Sequence, residues 1–229
     1  MHKPYELIVF DWDGTLMDSE AHIVASMEKA VADLGLPALE REVISNVIGL
    51  GLGEAIASIL PVQGPEVHRQ IVDRYRYHFL AEDPCEPFAG AEEVLRSLSR
   101  RGYWLAVATG KGRGGLDRVL QSTGFGTYFH LTRCADETRS KPHPQMLEEI
   151  MDGLGVTAAA TLMVGDTEYD LQMARNAGVA SLAVDYGVHA RERLLQCNPL
   201  ACLDDIQRLP EWLAQRPLKT SDPAAERTC

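Results

Sequence analysis

Apolar residues along the chain follow two different rhythms, and the change between them divides the sequence. Leu7-Ile8-Val9-Phe10 is a continuous apolar run, the mark of a strand buried on both faces. After it the period becomes helical. The stretch 19–34 is amphipathic, with Asp18 or Ser19 as its cap and Gly35-Leu36-Pro37 as its end. Further helices are predicted at 40–47, 54–60 and 66–81, with a glycine-punctuated turn at 48–53 and a stiff Pro-bounded break at 84–87. No strand pattern occurs between Leu16 and Pro84. From Phe88 onward, short apolar runs alternate with helical segments. Strands are predicted at 104–109, 128–131, 161–164 and 181–184, and helices at 91–101, 116–122, 144–154 and 169–177.

Such alternation means a parallel sheet with helices on both faces, where ligands sit at the carboxyl ends of strands. The expected fold class is therefore α/β: a Rossmann-like parallel sheet core with an inserted all-helical cap domain. The core takes residues 1–16 and 85–214, the cap 17–84, and the polar, aperiodic 215–229 reads as a flexible tail. An insert beside the active edge of a sheet suits a lid that excludes water and selects substrate.

Composition changes this picture little. The chain has 229 residues, enough for one substantial core plus a smaller appended unit, and 45% hydrophobic with 24% charged residues is ordinary for a globular protein. No apolar stretch approaches the roughly 18 residues of a membrane-spanning helix. The opening Met1-His2-Lys3-Pro4-Tyr5-Glu6 lacks a signal-peptide pattern. A net charge of −11 argues against nucleic acid or anionic membrane as partner, but leaves room for an anionic substrate in a locally positive pocket. Five cysteines without a Cys-x-x-Cys pair make a disulfide framework or zinc site an unsuitable reading, so a cytoplasmic location is expected.

The chemistry gathers at strand ends. Asp11 and Asp13 flank Trp12 immediately after the first strand, and alternate residues of an extended chain share a face. Two carboxylates there are costly unless a positive group lies between them, and a hard divalent cation is the natural partner. Gly14 allows the backbone to turn away. The strand at 104–109 ends in Thr109-Gly110-Lys111, a hydroxyl and free amides at a strand-to-helix junction suited to an anion. Lys141 stands in the Pro-flanked run Ser140-Lys141-Pro142-His143-Pro144, which aims it. Asp166 and Asp170, after the strand at 161–164, share one side if a helix starts near Thr167, and without a cation they would repel.

In this order, Phe-Asp-Trp-Asp-Gly-Thr-Leu, Ala-Thr-Gly-Lys, Ser-Lys-Pro-His-Pro and Val-Gly-Asp-Thr-Glu-Tyr-Asp resemble the four motifs of the haloacid dehalogenase superfamily. The similarity spans about residues 5 to 190 and is nearest to the phosphatase branch with a helical cap, typified by phosphoglycolate phosphatases. That resemblance implies a Mg²⁺-dependent phosphomonoester hydrolase acting on a small phosphorylated metabolite. Asp11 would be the nucleophile, forming an aspartyl-phosphate, and Asp13 the general acid and base. Thr109 and the amide of Gly110 would hold phosphoryl oxygens, and Lys141 would neutralise charge between nucleophile and phosphate. Mg²⁺ would be bound by Asp11, the backbone carbonyl of Asp13 and Asp166, with Asp170 supporting it. The expected assembly is a monomer or weak homodimer.

Other readings compete. Asp13 separates the chain from dehalogenases, which need no proton donor for halide, and Thr15 favours hydrolysis over a sugar-phosphate mutase reaction. A phosphonatase would replace Asp13 and use a cap lysine, and Lys29 is the single lysine of the insert. A nucleoside monophosphate phosphatase and a non-enzymatic binding protein on the same fold are further alternatives. Gly110-Lys111-Gly112-Arg113-Gly114-Gly115, with Asp136 downstream, matches a dinucleotide fingerprint but leaves the four aspartates without a role. The Gly49, Gly51, Gly53 loop is either a substrate-facing cap loop or an interhelix turn. The seven histidines show no metal-ligand spacing.

Overall fold

The computed structural model describes residues 3–81 and 85–215. Its first strand, β1 (Leu7–Phe10), is wholly buried. Four helices come next without an intervening strand: α1 (Glu20–Asp33), α2 (Arg41–Ser45), α3 (Leu52–Ile59) and α4 (Pro65–Ala81). The alternating half then runs α5 (Ala91–Arg100), β2 (Trp104–Thr109), α6 (Arg113–Thr123), β3 (Leu131–Cys134), α7 (Gln145–Leu154), β4 (Thr161–Gly165), α8 (Glu168–Asn176) and β5 (Ala180–Val184). It ends in α9 (Arg191–Leu195), β6 (Cys202–Leu203) and α10 (Leu209–Ala214).

The six strands form one parallel sheet in the order β3-β2-β1-β4-β5-β6. Central β1 pairs with β2 and β4 so that Phe10 stands level with Val107 and Val164. This register brings the carboxyl ends of β1, β2 and β4 together, where the order of strands reverses. The pleat sends Ile8 and Phe10 to one face, with Leu105, Val107, Leu162 and Val164, under α5, α6 and α10. Leu7, Val9, Ala106, Ala108 and Met163 face the other way, onto α7 and α8. Continuous apolar runs are what a sheet covered on both faces requires.

Helices α1 to α4 surround a separate apolar cluster built on Val24, Met27, Ile44, Ile48, Ile56 and Ile71. Two connectors join this helical unit to the sheet, and they lie side by side. The Asp18 amide donates to the Glu86 carbonyl and the Phe88 amide to the Leu16 carbonyl, each at 3.0 Å.

Most predicted elements are found within a residue or two. Helix α6 starts at Arg113, three residues before the expected 116, and the third strand lies at Leu131–Cys134 and not at 128–131. The aromatic residues that suggested the earlier placement, Tyr128 and Phe129, instead pack beside a short helical turn on the main core. The strand itself is an edge strand carrying Thr132 and Arg133, so its apolar signal is weak. The expected flexible tail lies, apart from Gln215, outside the described residues, as does part of the break at 84–87. Among the described residues, no helix is long and apolar enough to cross a membrane.

Candidate active site

Asp11 comes directly after β1, and its amide donates to the Val164 carbonyl at 2.9 Å, so the chain is still tied to β4 when the first carboxylate emerges. Trp12 points back into the core against the edges of Phe125 and Phe129. That anchor fixes the turn and leaves Asp11 and Asp13 at the carboxyl end of the sheet. Gly14 is required for two reasons: its φ is +80°, and a Cβ there would lie 2.1 Å from Oδ2 of Asp166.

Asp11 meets Asp166 and Asp170, which lie more than 150 residues later in the chain, and each of the three places a carboxylate oxygen within 4.8 Å of the others. All three are buried. Oδ1 of Asp11 accepts from the Trp12 amide at 2.7 Å and lies 2.7 Å from the Lys141 ammonium, which is also 2.7 Å from Oδ1 of Asp170. Oδ2 of Asp11 is buried without a protein partner. Asp166 accepts from the Thr15 hydroxyl at 2.7 Å and the Val188 amide at 2.9 Å. Asp170 closes the first turn of α8, where its Oδ2 accepts from the amide and hydroxyl of Thr167.

The electrostatics are set by this burial. Desolvation, reinforced by the Asp170 charge, holds the Asp11 carboxyl well above the ordinary range although Lys141 works against it. The same two causes push Asp166 up to about 7. Burial opposes the charge on Lys141, but Asp11 and Asp170 outweigh it and keep the ammonium more firmly protonated than a free lysine. With all three ionised, the carboxylates would exceed the one ammonium by two negative charges in a buried site, which is why Asp11 and Asp166 hold their protons more tightly than free carboxyls. An all-oxygen donor set, an orphaned buried oxygen and a deficit of two charges fit a hard divalent cation.

Asp13 is placed differently. Its carboxylate accepts from the Ser19 hydroxyl at 2.8 Å and lies 3.0 Å from the Lys111 ammonium, apart from the three clustered carboxylates. Thr109 is buried at the end of β2, its hydroxyl accepting from the Lys111 amide at 3.1 Å. Gly110 lies beneath the helical unit, where a Cβ would stand 2.4 Å from the Leu50 carbonyl oxygen.

Several contacts at this site have no sequence signal: Thr15 and Val188 on Asp166, Ser19 and Lys111 on Asp13, and the seam between helical unit and sheet. At that seam Ser140 accepts from the Gly51 amide at 2.7 Å, and the Tyr169 hydroxyl donates to the Asn46 carbonyl at 2.9 Å. His189 accepts from the Glu168 amide through Nδ1, leaving Nε2 to donate to that same Asn46 carbonyl. Residues 46–51 are the turn that links α2 to α3, Leu52 and Gly53 already belong to α3, and the stretch 47–53 lines the cavity above Asp11. Asp136, the acidic residue of the dinucleotide pattern, accepts from the Arg113 amide and caps α6.

Comparison with known proteins gives a consistent result. Residues 8–184 match the family model of haloacid dehalogenase-like hydrolases. The "Probable phosphatase IndB" of Dickeya dadantii is 39% identical over 89% of this chain and 91% of its own. A phosphoglycolate phosphatase of Vibrio parahaemolyticus is 29% identical over 91% of this chain and 96% of its own. In fold, a hydrolase from Pseudomonas syringae superposes with a TM-score of 0.84 at 21% identity, covering 91% of this chain and 98% of that one.

Proposed function

The chain belongs to the haloacid dehalogenase-like hydrolase family, and on that premise we propose that it is a Mg²⁺-dependent phosphatase that hydrolyses a small phosphorylated metabolite through an aspartyl-phosphate on Asp11. The observation that carries this reading is the buried cluster of Asp11, Asp166 and Asp170, balanced among the described residues by Lys141 alone. Asp11, Asp166 and Asp170 would hold the ion together with the backbone carbonyl of Asp13. Bound there, the ion would offset the repulsion between a carboxylate and a phosphate and polarise the phosphoryl oxygens.

Asp11 is fixed through Oδ1 by the Trp12 amide and Lys141. Held this way, it reaches phosphorus without paying for reorientation. As its oxygen bonds to phosphorus, the bond to the ester oxygen breaks, and Asp13 gives that oxygen its proton. The alcohol departs, and Asp13, now a carboxylate, takes a proton from the water that attacks the acyl-phosphate. Phosphate leaves and Asp11 is regenerated. The buried Thr109 hydroxyl, the Gly110 amide and Lys141 surround the phosphoryl group, and the helical unit excludes bulk water as a cap.

The test is hydrolysis of p-nitrophenyl phosphate with Mg²⁺ and with EDTA. Turnover should require the metal, and rapid-quench mass spectrometry should find phosphate on the peptide that contains Asp11. Asp11→Asn should lower kcat by at least about four orders of magnitude. Near-normal turnover by that variant, with deamidation excluded, would refute the mechanism.

A further inference from the structure

The cavity over Asp11 and Asp13 measures about 850 Å³. That is toward the upper end of the roughly 300–1,000 Å³ of sites that enclose ligands far larger than glycolate. Its upper wall belongs to the helical unit and is almost wholly apolar, with Ile23, Met27, Ile48, Val72, Tyr75 and Phe79 facing inward. Of the cations on its lining, Lys111 is already paired with Asp13, while Arg76 and Arg118 are exposed. Glu54 and Asp136, equally exposed, border the cavity as well, so the charges at its edge balance, two of each sign. A carboxylate carried against the inward-facing apolar side chains would lose water and gain no partner among them. An apolar body would gain from the same wall.

We infer that the phosphomonoester taken by this site has an uncharged, ring-sized and largely apolar leaving group, and that phosphoglycolate is a poor substrate. The inference rests on the phosphatase reading and narrows it. The glycine loop contributes by bringing the Gly49 and Leu50 carbonyls close to Gly110 at the edge of the cavity.

The experiment compares kcat/KM with Mg²⁺ for benzyl phosphate, ethyl phosphate and 2-phosphoglycolate, all esters of alkyl alcohols. Benzyl phosphate should exceed 2-phosphoglycolate by about 100-fold, with ethyl phosphate between them. Val72→Lys, at a half-buried position of the wall, should reduce that ratio by about 10-fold, mainly by raising KM for benzyl phosphate. If wild-type protein turns over 2-phosphoglycolate as well as or better than benzyl phosphate, the inference fails while the phosphatase reading stands. Hydrolysis of none of the three esters, nor of p-nitrophenyl phosphate, would overturn both.

Discussion

The Lys141 ammonium lies 2.7 Å from Asp11 and 2.7 Å from Asp170, with no more than 1% of any of the three side chains exposed. One cation therefore serves two carboxylates that arrive from opposite ends of the fold, one after β1 and one in the first turn of α8. Lys141→Met would keep the volume and remove the charge, leaving both carboxylates buried without their counterion. Loss of one partner from such a cluster costs about 3–5 kcal/mol. Urea unfolding in EDTA should show that loss. A variant within 1 kcal/mol of wild type, an allowance taken from the ordinary range of exposed pairs of about 0–1 kcal/mol, would show that the cluster is not dry.

Asp166 makes the metal-free protein sensitive to pH in a definite direction. Its carboxyl is raised from 3.8 to about 7 by burial and by Asp170. Between those values the folded chain holds a proton that the unfolded chain has lost. Stability in EDTA therefore falls as pH rises through about 7, and a divalent cation, which competes with that proton, binds more tightly over the same interval. Asp11 is raised in the same sense, whereas His189, lowered by burial and by Arg193, acts oppositely just below its ordinary 6.5. Melting curves from pH 5 to 8 for wild type and for Asp166→Asn isolate the effect (about the span of the carboxyl's titration). The wild-type slope should be the more negative in EDTA and should weaken with Mg²⁺; identical slopes would rule the account out.

Gly14 and Gly178 both have positive φ, at +80° and +68°, yet only Gly14 faces a neighbour. Gly178→Ala meets nothing within 4 Å and should cost only the backbone penalty of about 1–2 kcal/mol, with activity retained. Gly14→Ala carries the same penalty and in addition pushes its methyl into the Asp166 carboxylate. Displacing that group by about 1 Å should lower kcat by about 100-fold. Equal effects of the two substitutions on kcat would mean that the close approach of Gly14 to Asp166 has no bearing on catalysis.

The sheet was legible because buried parallel strands are continuous apolar runs, and the site because its carboxylates interrupt those runs at their ends. Asp11, Thr109 and Asp166 could each be located from a strand that stops in a polar residue. Neither β6, of two residues, nor α9 and α10 announced themselves, since short elements bury too little to impose a period. The partners of the site residues were equally hidden. Thr15 reaches Asp166 across 151 positions, and Tyr169 reaches Asn46 across 123. Such contacts depend on strand order and on how the helical unit docks. Lys111 shows the same limit: its place after Thr109 was visible, but its pairing with Asp13 depends on the register of β2 against β1.

The paired connectors have a mechanical consequence. Residues 16–18 and 86–88 are laced together into a single stalk. Any swing of the helices above the sheet must twist that stalk, and Ser19, next along the chain at the head of α1, travels with the swing. Ser19 grips Asp13 from the helical side and Lys111 holds it from the sheet side, whereas Asp11 is moored to Lys141 in the sheet half. One carboxylate straddles the joint, and the other stays on the sheet side of it.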